Sequence, residues 1–335
     1  MKRFLVGAAM LIGCYKDVAA PAQPPAQSTL VTQRAPARDY RVALGDPVGF
    51  LPANTEAVIA IDGDQLRRSA LWNMVESKLR ATAGPDYVVF TTACGFDPFL
   101  SIRRITIGLR DLKKPSQDGI VVITGVSKTK LTECIDRVAA TDTKAVVVER
   151  GIYTVHKDAA DTVSLVFTFV DEATLVLHAA PSANRASLEK ILAAGVPLRR
   201  SPTFTQLLAQ VDTSASAWGI VNGRASIFDL SQGNQKPTAV WGSVHLASGA
   251  QVSMRMRFAD AATAQHLATQ AQTQLQGAAQ MFFDRLDVNA DGEELVVDAA
   301  MSDTKLASLM SLMGMAMNAQ TAAPPSTAPT LGPSP

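Results

Sequence analysis

In the stretch QVSMRMRF, Val252, Met254, Met256 and Phe258 alternate with Ser253, Arg255 and Arg257. Successive side chains of a β-strand point to opposite faces, so a period of two specifies a strand with one apolar and one polar side. A chain that repeats this pattern must build an antiparallel sheet with one buried and one solvated face. The polar side would meet Ser243 and His245 on the strand before it, and Asp287 and Asp298 from LDVNADGEELVVDA. Cross-strand pairing, worth roughly 0.2–1 kcal/mol per pair, is the structural use for these groups.

Strand segments alternate with helical ones between about residues 50 and 317. AVIAID ends at Asp62-Gly63-Asp64, a turn that can also cap a helix, and a helix is expected over about 64–82. RITIGLRD and GIVVITGV follow as strands, and Ser127 caps a helix that carries Cys134. AVVVERGIYTVHK turns at Arg150-Gly151, and TVSLVFTFV-DEA-TLVLHA is a hairpin. Helices are then expected from Ser182 and from Ser201-Pro202. The second half repeats this order in shorter form. AVIAIDGD at 57–64 aligns with AWGIVNGR at 217–224, and AVWGSVHL-ASGA-QVSMRMRF matches the first half's strand pair. Asp260 and Ser302 cap the helices on either side of the last hairpin. The expected fold is α+β: two tandem related modules, 50–196 and 197–317, each an antiparallel sheet with helices packed on one face.

The two ends read differently. Lys2 and Arg3 precede an apolar run from Phe4 to Gly13, followed by Cys14. Ten helical residues span about 15 Å, half the thickness of a bilayer core, so this segment has the size of a secretory signal rather than a membrane span. The tetrad Leu11-Ile12-Gly13-Cys14 resembles the lipobox of bacterial lipoproteins. That resemblance implies removal of residues 1–13 and a lipid on Cys14 that holds the protein to a membrane. Tyr15 follows the cysteine, as in the outer-membrane class, whereas an Asp there would mark inner-membrane retention. Residues 14–49 are rich in Pro and Ala and read as a tether, and 318–335, also Pro-rich, as a disordered tail. The 31 basic and 30 acidic residues nearly cancel, so charge gives no ground for a nucleic-acid partner.

With Cys14 assigned to the anchor, Cys94 and Cys134 remain. An even remainder in an oxidising envelope predicts a disulfide between them; the alternative is two buried free thiols. The sharpest ligand motif is DVNADGEELVVD. Its Asp287, Asn289, Asp291, Glu293 and Asp298 fall within a twelve-residue calcium-loop frame. Strand-like alternation on both sides argues instead for a β-turn, and calcium is the minor alternative to no cofactor at all. His156, His178, His245 and His266 are scattered without metal-ligand spacing. No nucleophile elbow or phosphate loop occurs, and nothing in the sequence selects a Ser-His-Asp set, so no catalytic residue is assigned. Met310, Met313, Met315 and Met317 lie in the last helical segment, where Leu306, Leu309 and Leu312 make ordinary core packing the simpler account.

The frame LPANT…ACGFDPF…LTECI resembles an uncharacterised group of bacterial lipoproteins over roughly the first module. It implies an envelope location and paired cysteines but carries no activity. The expectation is a lipid-anchored, non-enzymatic binding or interaction module with an envelope protein partner. The alternatives are a carrier for a lipid-like apolar ligand and, third, an envelope hydrolase.

Overall fold

A computed structural model describes residues 45–114, 118–141, 146–155, 163–230 and 235–321. Twelve strands form one sheet, with every pairing antiparallel. They are β1 (Ala57–Asp62), β2 (Arg104–Arg110), β3 (Asp118–Thr124), β4 (Val146–Glu149), β5 (Ile152–Val155), β6 (Ser164–Phe169), β7 (Thr174–Ala180), β8 (Ala217–Asn222), β9 (Ala239–His245), β10 (Ala250–Arg257), β11 (Arg285–Asp291) and β12 (Glu294–Met301). Their spatial order is β11-β12-β10-β9-β8-β1-β2-β3-β7-β6-β5-β4, so the two halves of the chain meet where β1 pairs with β8. The α+β class and the antiparallel sheet are present as expected.

The helices are α1 (Gly63–Arg68), α2 (Ala70–Cys94), α3 (Pro98–Ser101), α4 (Lys128–Thr141), α5 (Arg185–Ala193), α6 (Pro202–Leu208), α7 (Ala261–Phe282) and α8 (Asp303–Thr321). Two starts differ from the sequence reading. The helix expected over 64–82 is two helices, because the Ser69 hydroxyl accepts from the Trp72 N–H and opens a second one. That second helix bends at Gly84 and runs on to Cys94. The helix expected from Ser182 starts at Asn184, whose side chain caps Ser187 N–H while Ser187 Oγ accepts from Asn184 N–H. Such a reciprocal box satisfies two orphan amides and outcompetes a lone serine upstream.

The repeat seen in the sequence is carried out in the hydrogen bonds. The β1–β8 ladder joins Ala57 to Val221, Ile59 to Gly219 and Ile61 to Ala217. If Ala57 corresponds to Ala217, this register is its own mirror, and a pseudo-twofold axis passes between Ile59 and Gly219. Bonds beyond the ladder repeat in the same way. Asp62 N–H donates to Ser216 O and Asn222 N–H to Glu56 O, while Arg103 N–H donates to Thr124 O and Thr238 N–H to Arg257 O. Each half thus threads its strands by the same rule.

Cover is unequal on the two faces. On the back, Val58, Ile120, Val122, Val166, Val176, Ile220 and Trp241 form one buried cluster with α5, α6 and the turn Pro47–Phe50. The cluster takes residues from both halves. On the front, α4 with Phe90 and Phe96 covers Val121, Ile123 and Leu177. Helix α7 covers Leu295 and Val288, and α8 joins Leu71 and Met74 of α2 over Met301. Strands β3 and β7 are therefore buried from both sides, which is why GIVVIT and TLVLHAA read as nearly continuous apolar runs rather than as alternations.

Candidate functional site

The middle of the front face is where the helical cover fails. Cross-strand partners share a face, so the registers of β2, β1, β8, β9 and β10 define three rows. The outer rows are Leu109–Ala57–Val221–Val240–Met256 and Ile105–Ile61–Ala217–Val244–Val252, and the middle row is Ile107–Ile59–Gly219–Gly242–Met254. None of these fifteen side chains carries a polar hydrogen-bonding group or a charge. Only Ala57 among them is buried, and Ile59, on a central strand, is 39% exposed. On the back of the same strands Val58 and Ile220 are 1% exposed. Ile105 and Ile107 pack against the cluster under α4, Met256 against that under α7 and Val244 against that under α8, so the strip is covered at its margins and open between them around Ile59. An apolar opening at the centre of a large sheet is a surface suited to an apolar ligand.

The helices beside the strip carry apolar side chains outward as well. Leu79 and Val88 of α2, Leu275 and Met281 of α7, and Leu312 of α8 are all exposed. Met310 packs with α8's core contacts, while the side chains of Met313, Met315 and Met317 lie outside the described residues.

A buried polar cluster lies on the back face under α5. His178 on β7, 4% exposed, has Nε2 3.1 Å from Asp118 Oδ1 and Nδ1 2.9 Å from Ser187 Oγ. Arg110 Nη2 lies 2.6 Å from both Asp118 oxygens. Burial pushes the Asp118 carboxyl up, but the hydrogen bonds from His178 and Arg110, with their charges, outweigh it and hold it below the ordinary 3.8. An ionised Asp118 only accepts, so Nε2 carries a proton toward it. This is a Ser-His-Asp set assembled in space, which no spacing along the chain could select. Its hydroxyl is already engaged by the cap of α5, accepting from Asn184 N–H and lying 2.7 Å from Asn184 O. The cluster is a tie between β2, β3, β7 and α5.

The residues singled out from sequence are placed as follows. Cys94 and Cys134 are joined, with Cα atoms 4.6 Å apart, and fasten the end of α2 to α4. Cys14 and His156 lie outside the described residues. Asp287, Asn289 and Asp291 lie along β11 opposite Asp298, Val296 and Glu294, and Glu293 is in the two-residue turn that opens with Gly292 at φ 59. This is a hairpin in place of a calcium loop between helices, the Gly-first turn matching strand twist. Among the described residues no group of three His, Cys, Asp or Glu is gathered for a metal. The polar side of β10 faces Ser243 and Asp298 at Ser253 as the alternation implied, but its arginines pair elsewhere than expected: Arg255 and Arg257 reach Glu294 at 3.0 and 2.6 Å, not Asp287 or Asp298. His245 Nε2 is 2.8 Å from Asp212 Oδ2, and His266 is exposed on α7. Among the described residues no helix is long and apolar enough to cross a membrane.

Fold and site together define an α+β protein with a pseudo-twofold antiparallel sheet and a bare apolar centre. No protein-family model and no curated protein matches the chain. Solved structures of TP0453 do match it. Crystal form III aligns with a TM-score of 0.53 at 10% identity, covering 80% of this chain and 98% of that chain. Crystal form I aligns with a TM-score of 0.50 at 11% identity, again over 80% and 98%. At such identity the likeness extends to the fold alone.

Proposed function

We propose that this chain is a non-enzymatic binding protein of the cell envelope, held to a membrane through a lipid on Cys14, and that its ligand is apolar. The observation that carries the reading is the strip, fifteen front-face positions without a charge and with Ile59 open to solvent. Burial of apolar surface, at about 25 cal/mol per Å², would drive binding there. The paired charges on the back of β10 offer no comparable free surface, and the Ser187 hydroxyl is held by a helix cap, so binding is favoured over hydrolysis.

The test uses the chain from Tyr15 to Pro335, exported behind an ordinary cleavable signal so that it carries no lipid. Titration with 11-(dansylamino)undecanoic acid should give saturable, blue-shifted emission. Ile59→Asp, a charge placed in the strip at an exposed position, should weaken binding by about tenfold or more. No saturable binding by the wild-type chain would overturn the reading. Separately, Cys14→Ala in the intact precursor should abolish incorporation of radiolabelled palmitate; continued labelling would place the lipid elsewhere.

A further inference from the structure

The middle row of the strip contains two adjacent bare positions, Gly219 on β8 and Gly242 on β9, with Ile59 on one side and Met254 on the other. Glycine inside a strand costs stability, so each needs a reason. Gly242 has one in the sheet itself, because a Cβ there would lie 2.5 Å from Ser253 O on the neighbouring strand. Gly219 has none. Its φ is outside the left-handed region, and within 4 Å a Cβ would meet only Val58 O at 3.4 Å and Ile59 Cγ1 at 4.0 Å, both in the sheet. The pseudo-twofold axis supplies an internal control. The position related to Gly219 is Ile59, and the one related to Gly242 is Ile107. The fold therefore accepts a branched side chain at this place in one half and lacks it in the other.

We propose that Gly219 sets the ligand's shape: the Gly219–Gly242 slot seats a single unbranched alkyl chain, such as the acyl chain of a lipid. This inference rests on the apolar-ligand reading and goes on to name the ligand's class. Two bare strands make a slot about 10 Å long, at a strand spacing of about 4.8 Å. Along the strands it is closed by Ala217 and Val221 on β8 and by Val240 and Val244 on β9, leaving the width of one side chain. That width admits a polymethylene chain and rejects a branched or fused-ring body. The lining matches such a chain in charge as well, since no floor position offers a partner to a polar group, which would be buried unpaired.

The test is a graded filling of the slot by Gly219→Ala, Gly219→Val and Gly219→Leu in the Tyr15–Pro335 chain, read with 11-(dansylamino)undecanoic acid and with a dansylated cholesterol. Wild type should bind the undecanoate probe at least about tenfold tighter than the sterol. Affinity for the undecanoate should fall stepwise from Ala to Leu, by about tenfold at Val, while the urea midpoint stays level or rises because a strand glycine has been replaced. The Ala variant, which adds one methyl at an open position, keeps the series interpretable if Leu fails to fold. Equal affinity across folded variants, or a wild-type preference for the sterol, would overturn the slot while leaving an apolar-ligand protein. A wild-type chain that binds neither probe would overturn both.

Discussion

Asp118 shows how one residue's environment fixes a measurable property. Its folded pKa is below the ordinary aspartate value, burial being outweighed by His178 and Arg110. A depressed carboxylate pKa contributes stability that is fully present above the unfolded value and disappears as pH falls through the folded one. Asp118→Asn should therefore destabilise the protein at pH 7, by about 1–3 kcal/mol, and the gap to wild type should close as pH drops below about 4. Urea melts followed by Trp218 and Trp241 fluorescence from pH 7 to about pH 2.5 read this directly. A gap that stays constant with pH would mean the carboxylate's charge is not what holds the cluster. Glu294 between Arg255 and Arg257, and Asp284 beside Lys305, are depressed too, so the wild-type acid slope sums several groups and only the difference isolates Asp118.

Among the elements, α2 depends most on contacts remote in sequence. Its first turns pack on α8 through Leu71 and Met74, its last residue is bonded to α4, and Gly84 bends it between. The Cys94–Cys134 bridge closes a loop of 40 residues, worth about 4 kcal/mol on the chain-entropy account. Cys134→Ser should lower unfolding stability by about 2–4 kcal/mol, and adding reductant to wild type should reproduce the loss. A variant whose urea midpoint matches wild type would show that packing of Leu131 and Ile135 alone fixes α4. The elements differ in how openly the sequence announced them. Strands with one wet face, such as β10, were legible because alternation records a solvated side, and hairpin turns because Gly292 and its neighbours record the backbone. The break at Ser69 and the start at Asn184 were not, since several nearby polar residues could cap and only reciprocal geometry chooses. The strip was half-written: two mid-strand glycines were visible, but that they are cross-strand neighbours is a matter of register, which no local pattern supplies. Nor could sequence join Asp118, His178 and Ser187, because they meet only when β3, β7 and α5 stack.

At the scale of the whole molecule, the sheet and its pseudo-symmetry argue that the halves are interdependent. The first half ends in β1, whose Ala57–Ile61 each pair with a residue of β8, and Val58 shares its cluster with Ile220 and Trp241. Cutting after residue 213 would leave a central strand as a bare edge with an apolar side chain at each position of its ladder up to Ile61. The chain already shows how such an edge is satisfied: β8 pairs with it in a self-mirrored register, the position opposite Ile59 being its own equivalent. The fragment of residues 45–213 should therefore associate as a symmetric dimer through β1, with two copies of Ile59 facing each other across the axis. Light scattering after size exclusion should give twice the fragment's mass, and Ala60→Pro, which removes an amide from the centre of β1, should leave it monomeric or aggregated. The intact chain should unfold in one cooperative urea transition, with tryptophan fluorescence and circular dichroism coincident. A soluble monomeric fragment with an intact fold would mean that the junction merely abuts two self-sufficient halves. The bare strip would then be a gap between neighbours, and Gly219 alone would speak for a ligand.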